Sequence, residues 1–192
     1  GNREERIQGL RIFCEYRDQR SFPLLLPLLD QPCPVERMSA VYALGRNPCP
    51  SAVQKLVSLL ETDDNAYVRR ATAWSLANYD NQIVLKPLIN ALKNDVAAVR
   101  LWSSSSLAEI GNVSSKNAEL AAEQLLISLK IDNESGVRSN CIWSLCRLFE
   151  KLDNTFQECF VDECTKIALF DKEPSVMDCL LYTSPSPRDP TS

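Results

Sequence analysis

The chain has 192 residues, 45% of them hydrophobic and 24% charged, with a formal net charge of −4. That length and balance suit one soluble domain with a sizeable core, and the acidic sign disfavours a broad electrostatic grip on nucleic acid. Five glycines and 7% aromatics argue against a sheet-rich fold, and no run of about 18 apolar residues is present to span a membrane.

Histidine is absent, and eight cysteines occur at positions 14, 33, 49, 141, 146, 159, 164 and 179. None forms a C-x-x-C pair. Cys141/Cys146 and Cys159/Cys164 are each five apart, which on a helix turns the two side chains roughly 140° from one another. A metal site would therefore need thiolates and carboxylates at unsuitable spacing, and none is expected. The cysteines read as small apolar fillers in a reducing cytosol, with the loop residues Cys33 and Cys49 as the candidates for a redox-sensitive thiol.

Helical periodicity runs through the chain, broken at even intervals by Pro, Gly, Asn and Asp. The first unit predicts a helix over about 3–16 and a second over about 21–29, the latter shortened or kinked by Pro27. The second unit starts a helix at Pro34 and ends it at Gly45; Asn47–Pro50 turn, and a helix follows over 51–62. The third unit, 65–95, is the most legible. Asn65 caps its first helix and Asp80 or Asn81 its second. The fourth opens with a cap at Asp95, ends a helix near Gly111, and resumes at about Ala118 after an enlarged turn, NVSSKN. The fifth is capped at Asp132 or Asn133, runs to about Lys151, and pairs with a helix over about 154–170. Residues 172–178 begin a sixth unit.

Superposing the units reveals fixed columns. Arginine recurs at 6, 37, 69, 100 and 138, with spacings of 31, 32, 31 and 38. Seven residues after each stand Phe13, Leu44, Leu76, Leu107 and Leu145; Val68, Val99 and Val137 precede three of them. The second helices share a Leu-x-x-x-Leu step at Leu24/Leu28, Leu56/Leu60, Leu88/Leu92 and Leu125/Leu129. One helix pair cannot bury its apolar stripe alone, so a two-helix unit at this period predicts an all-α solenoid, the arginines stapling neighbouring repeats through acidic or carbonyl groups.

The segments VRRATAWSLANY, VRLWSSSSLAEIG and VRSNCIWSLCRL resemble the V-R-x-x-A-x-x-A-L-G signature of short HEAT repeats. With RMSAVYALGRNP, their texture resembles the phycobilisome-lyase-type HEAT-like repeats of cyanobacteria over about residues 3–178. The resemblance implies a right-handed solenoid of about five stacked helix pairs plus a truncated sixth. It also implies a cytoplasmic scaffold whose second helices line a concave protein-binding surface. The partner it implies is a phycobiliprotein subunit or a second HEAT-repeat chain. If the protein is an enzyme, the resemblance implies a bilin lyase, attaching or isomerising a linear tetrapyrrole on a phycobiliprotein cysteine. A transient bilin is then the one cofactor expected, and catalysis is mostly positioning.

Candidate contact residues follow an aromatic column. Tyr42, Trp74 and Trp143 each lie five residues after a column arginine, Ser105 fills that place in the fourth unit, and Trp102 is nearby. Arg70 and Tyr79 accompany Trp74, as does Asp80. These residues read either as a ligand- or partner-facing strip or as knobs between repeats. Asp63, Asp64, Asp80 and Asp95 sit at turns, where capping accounts for them. No Gly-rich phosphate loop, metalloprotease motif or nucleophile–His pair is present, and no His-Glu motif for iron. Nucleic acid is not expected, since the second helices offer only scattered lysines at 55, 86, 93 and 130. The stretch from Cys179, CLLYTSPSPRD, breaks the periodicity and reads as a translated sequencing adapter. Residues 1–178 are therefore taken as the solenoid and 179–192 as adapter-derived and disordered. With no initiator Met, Gly1 reads as a fragment start or a processed end.

Overall fold

The computed structural model describes residues 2–80, 82–171 and 173–183, with side chains through 179. It is all-helical among those residues. The helices are α1 (Arg3–Glu15), α2 (Phe22–Leu25), α3 (Pro34–Arg46), α4 (Val53–Thr62), α5 (Ala66–Leu76) and α6 (Leu85–Asn94). They continue as α7 (Ala97–Gly111), α8 (Ser115–Ile131), α9 (Ser135–Leu148), α10 (Asn154–Phe170) and α11 (Pro174–Thr183). Odd-numbered helices stack on one another as one layer, and the even-numbered helices form the second layer against them. This is the expected solenoid of helix pairs.

The core lies between the layers and follows the sequence columns. Leu44, Leu76, Leu107 and Leu145 are fully buried, as are Leu56, Leu88, Leu92, Leu125 and Leu129 from the second helices. The first unit departs from the reading above. Its buried pair is Leu25 and Leu29, while Leu24 is 63% exposed. Pro27 has no amide to donate, and the segment from Leu26 to Asp30 winds as a 3₁₀ turn. Counting back one period of 31 from Leu56 and Leu60 reaches this same pair.

Helix ends confirm some expected caps and reassign others. Asn65 Oδ1 accepts the amides of Tyr67 (2.9 Å) and Val68 (3.3 Å), as a helix cap should. Val96, not Asp95, occupies the cap of α7, and Glu134, not Asp132 or Asn133, that of α9. Ser114 caps α8 by accepting the Asn117 amide, so that helix begins inside the stretch expected to be turn. Asn81, one of two caps expected for α6, lies outside the described residues, and that helix is entered through a 3₁₀ turn at Gln82–Val84. Gly45 does not end α3, which runs on to Arg46, and no described glycine has positive φ. Its requirement is space: a Cβ there would lie 2.4 Å from Trp74 Cζ3. The expected boundary at 178/179 falls within α11. The Cys179 thiol there donates to the Ser139 carbonyl at 3.2 Å, and residues 184–192 lie outside the described residues.

The aspartates displaced from capping form the other half of a ladder. Arg37 grips Asp63 through Nε (2.8 Å) and a second nitrogen (2.9 Å), and Arg69 grips Asp95 at 2.9 Å through both. Arg100 holds Asp132 at 2.8 Å, and Arg138 holds Asp171 at 3.1 and 3.2 Å. In the first unit Arg6 instead meets the buried Glu36 of the next repeat at 2.8 Å. The third guanidinium nitrogen reaches back to the preceding rung. Arg69 donates to the carbonyl of Asp63, Arg100 to that of Asp95 and Arg138 to that of Asp132. Asp63, Asp95 and Asp132 thus each accept their own arginine on the side chain and the next arginine on the backbone. Burial raises the Asp132 carboxyl, but the Arg100 and Glu134 hydrogen bonds and the Arg100 and Arg138 charges outweigh it and leave it below its ordinary range.

Bonds between odd helices close the other seam. Ser106 Oγ donates to the Ala73 carbonyl and Ser144 Oγ to that of Ser104, each at 2.7 Å. Asn47, at the end of α3, donates to the Phe13 carbonyl at 2.7 Å. These small polar side chains satisfy themselves across the interface, which lets the helices approach closely.

Replacing Asp95 by Ala strands two Arg69 donors in a half-buried site. It is expected to destabilise the fold by roughly 3 kcal/mol in denaturant unfolding. Because the Asp132 carboxyl is depressed, its contribution is complete above the ordinary carboxylate range near pH 4 and is lost as pH falls through the lower folded value. Acid titration followed by circular dichroism should therefore show unfolding that begins earlier for Arg100→Met than for the wild type. Gly45→Ala should cost about 1–3 kcal/mol by overpacking against Trp74, and the added substitution Trp74→Leu should recover much of that loss in the same assay.

Candidate functional site

The outward face of the odd-helix layer carries the aromatic column. The rings of Tyr42 on α3 and Trp74 on α5 lie 5.4 Å apart, tilted by 54°. The Arg46 guanidinium sits 5.6 Å from the centre of the Trp74 ring. One turn away along α5, Arg70 lies 5.4 Å from the Tyr67 ring. Gly45 removes the Cβ that would otherwise stand where the indole packs. Trp74 is half-buried: one part is a knob between α3 and α5, and the remainder is available at the surface.

The column is not continuous. In α7 the equivalent place is Ser105, whose hydroxyl accepts from Asn140 at 2.7 Å, while Trp102 stands at the surface 37% exposed. Beyond that break, Trp143 on α9 has Arg147 stacked at 5.0 Å, and Arg147 also pairs with Glu109 of α7 at 2.9 Å. The structure therefore brings Tyr42 of α3 against Trp74 of α5, with Arg70 one turn along α5, leaves Trp102 exposed on α7, and sets Trp143 apart with its own arginine.

Tyr79 belongs to neither group. It is buried, donates its hydroxyl to the Leu44 carbonyl at 2.9 Å and accepts the Cys49 amide at 3.3 Å. Burial pushes the phenol up to about 12. Its role is to pin the turn of the preceding repeat, a task that its column, ten residues after an arginine, gives little hint of. Two residues of the face escaped the sequence reading: Arg46 and Tyr67. Their signal lay in helical spacing, since Tyr42/Arg46 and Tyr67/Arg70/Trp74 are separated by three or four residues and so share a face.

A second surface runs between successive even helices. A groove of about 590 Å³ lies between α4 and α6, walled by Leu60, Glu61, Pro87, Asn90 and Asn94. Smaller ones of about 340 and 300 Å³ follow between α6 and α8 and between α8 and α10. The Arg–Asp ladder forms the floor of all three, so most of their charge is internally paired.

The thiols offer no assembled chemistry. Burial raises both Cys141 and Cys164, the latter to about 12. Cys33 is lowered by the Glu36 amide at the start of α3, against the smaller opposing effect of its burial. Among the described residues no group of three or more His, Cys, Asp or Glu is placed to hold a metal ion, and no helix is long and apolar enough to cross a membrane. Asp63 and Asp95, expected as caps, instead serve the ladder.

Comparison with known proteins places this geometry. No curated protein matches the sequence. One chain of the complex of CpcE and CpcF of phycocyanin lyase from Nostoc sp. PCC7120 is similar in structure, with a TM-score of 0.69 and 21% identity. The match covers 88% of this chain and 100% of that one. An engineered protein matches at a TM-score of 0.67 and 18% identity, over 95% of this chain and 91% of that one. A designed armadillo repeat protein in complex with the peptide (KR)4 matches at 0.65 and 18%, over 92% and 90%. At these identities the likeness is one of fold. The sequence profile of HEAT repeats matches residues 1–77 and again 53–146, most of the solenoid, and the chain belongs to the HEAT-repeat family.

Proposed function

We propose that this protein is a protein-binding HEAT-repeat scaffold of the phycobilisome-lyase-like type, working in the cytoplasm. The observation that carries the reading is the surface that the ladder leaves over. The five arginines of the charged column are consumed internally, while Tyr42, Arg46, Tyr67, Arg70 and Trp74 stand on the outer face of α3 and α5, with Trp102 exposed on α7. Tyr, Trp and Arg are the residues that dominate binding energy at protein interfaces. A stiff array of stacked pairs presents such a face at fixed spacing, and a partner that meets it loses little to reorganisation.

A second reading makes the protein one component of a bilin lyase. It is supported by the lyase-like sequence texture and by the full-length structural likeness to a chain of the CpcE–CpcF complex. A linear tetrapyrrole needs aromatic walls, carboxylates to pair with its ring nitrogens and basic groups for its propionates. Tyr42 and Trp74 with Arg46 and Arg70 would supply the walls and the basic groups, while the acceptor cysteine would belong to the phycobiliprotein. In this reading the chain positions two reactants and contributes little else.

The test is co-expression of the full chain with phycobiliprotein α and β subunits, a second HEAT-repeat lyase chain and a bilin-producing pathway. A colourless complex on size exclusion is the expected result for a scaffold, and a covalent coloured adduct that depends on this chain is expected for the lyase. Persistent monomer with every subunit supplied, combined with no stoichiometric partner from a native cyanobacterial extract, would overturn both.

A further inference from the structure

We infer that the outer face of α3, α5 and α7 docks an acidic segment of a second protein. The carboxylates of that segment meet Arg46 and Arg70, and its apolar side chains cover Trp74 and Trp102. The inference rests on the scaffold reading and deepens it by naming the surface and the chemistry of the partner.

The argument begins with which arginines are already satisfied. The ladder residues 6, 37, 69, 100 and 138 each hold a carboxylate, and Arg147 holds Glu109. Arg46 and Arg70 differ. Among the described residues neither has a carboxylate within ion-pair distance, and each lies instead against an aromatic ring, Trp74 and Tyr67 respectively. Arg70 Nε is buried and has no hydrogen-bond acceptor. A shielded guanidinium N–H without a partner is costly unless an acceptor arrives, and a carboxylate is the acceptor whose geometry suits the guanidinium fork.

The surroundings fit that occupant. On α3 the face is Val35, Met38, Tyr42 and Arg46; on α5 it is Tyr67, Arg70 and Trp74. Neither helix contributes an acid to it. The flanking acids are Glu4 and Glu15 on α1, one period before Val35 and Arg46, and Glu109, which Arg147 already engages. The protein carries a net charge of −4, yet this face is cationic and aromatic, so an acidic ligand is drawn to it rather than to the rest of the surface. Stacking on Trp74 and Tyr67 holds both guanidinium planes in place before binding, which lowers the ordering cost.

The grooves between the even helices do not share this character. Their arginines are locked to Asp95, Asp132 and Asp171, so the cations they keep are lysines such as Lys93 in the α6–α8 groove, without the guanidinium fork that suits a carboxylate.

A random-peptide display library selected against the immobilised full chain supplies the probe. Selected peptides should be enriched in Asp and Glu interspersed with Leu, Phe or Trp. After synthesis, they should lose at least about tenfold in affinity on Arg46→Glu with Arg70→Glu, with circular dichroism and Tm unchanged. Binding should weaken with salt, and hydrogen exchange should show protection in α3 and α5. Trp102→Ser, at an exposed position, is a second variant that should weaken binding without altering the fold. Peptides without acidic enrichment, or equal affinity for the charge-reversed variant, would overturn the inference. Protection confined to α4, α6 and α8 would also overturn it while leaving the scaffold reading standing. A wild-type dimer that the Arg46→Glu, Arg70→Glu variant dissociates would assign the face to a second copy of the chain instead.

Discussion

The interaction on which the rest depends is the guanidinium–carboxylate ladder. In each full repeat an arginine at the fourth position of the odd helix takes the aspartate that follows the even helix, and reaches back to the carbonyl of the rung before. One planar group thereby fixes three segments: the end of the preceding repeat, its own helix and the end of its partner helix. A lysine could not do this, since its ammonium lacks the flat fork that spans two carboxylate oxygens and a carbonyl together. The pairs are largely shielded from water but fully hydrogen-bonded, the condition under which a buried ion pair gives more orientation than it costs in lost hydration.

With orientation fixed by the ladder, the odd helices are free to pack closely. Small residues line that seam: Ala43, Ser75, Ser106 and Ser144 occupy equivalent places, all buried. Two of these serines donate to carbonyls of the neighbouring odd helix. Where a large residue intrudes, space is made for it, as Gly45 does for Trp74. The outcome is a stiff layer whose outer rows need not hold the fold together. Those rows can carry Tyr, Trp and unpaired Arg without conflict between stability and binding.

The surfaces divide accordingly. The even-helix grooves have a floor of neutralised charge and polar walls such as Asn90 and Asn94. The odd-helix face has rings and two guanidinium groups with no acid on α3 or α5 to quench them. The grooves are floored by paired charge, whereas Arg46 and Arg70 of the odd-helix face have no carboxylate within ion-pair distance among the described residues. The cysteines are dispersed along the chain, and burial raises Cys141 and Cys164 while the Glu36 amide lowers Cys33.

The sequence by itself determined the solenoid, because stacked repeats place equivalent residues at a constant offset and so print their columns into the chain. Arg37, Arg69, Arg100 and Arg138, and the leucines seven places later, were legible for that reason. What each column touches was not. Asp63 and Asp95 look like helix caps from sequence, since a cap and a ladder acceptor demand the same residue at the same turn; only the neighbouring helix shows which donor arrives. Tyr79 and Trp74 looked alike as aromatics of one unit, yet one is sealed under Leu44 and Cys49 while the other reaches the surface. In the first even helix the leucines at 24, 25, 28 and 29 offered two Leu-x-x-x-Leu pairs, and stacking buries Leu25 and Leu29. Burial, pairing and exposure depend on which repeat lies alongside, and that is a property of stacking, decided in three dimensions.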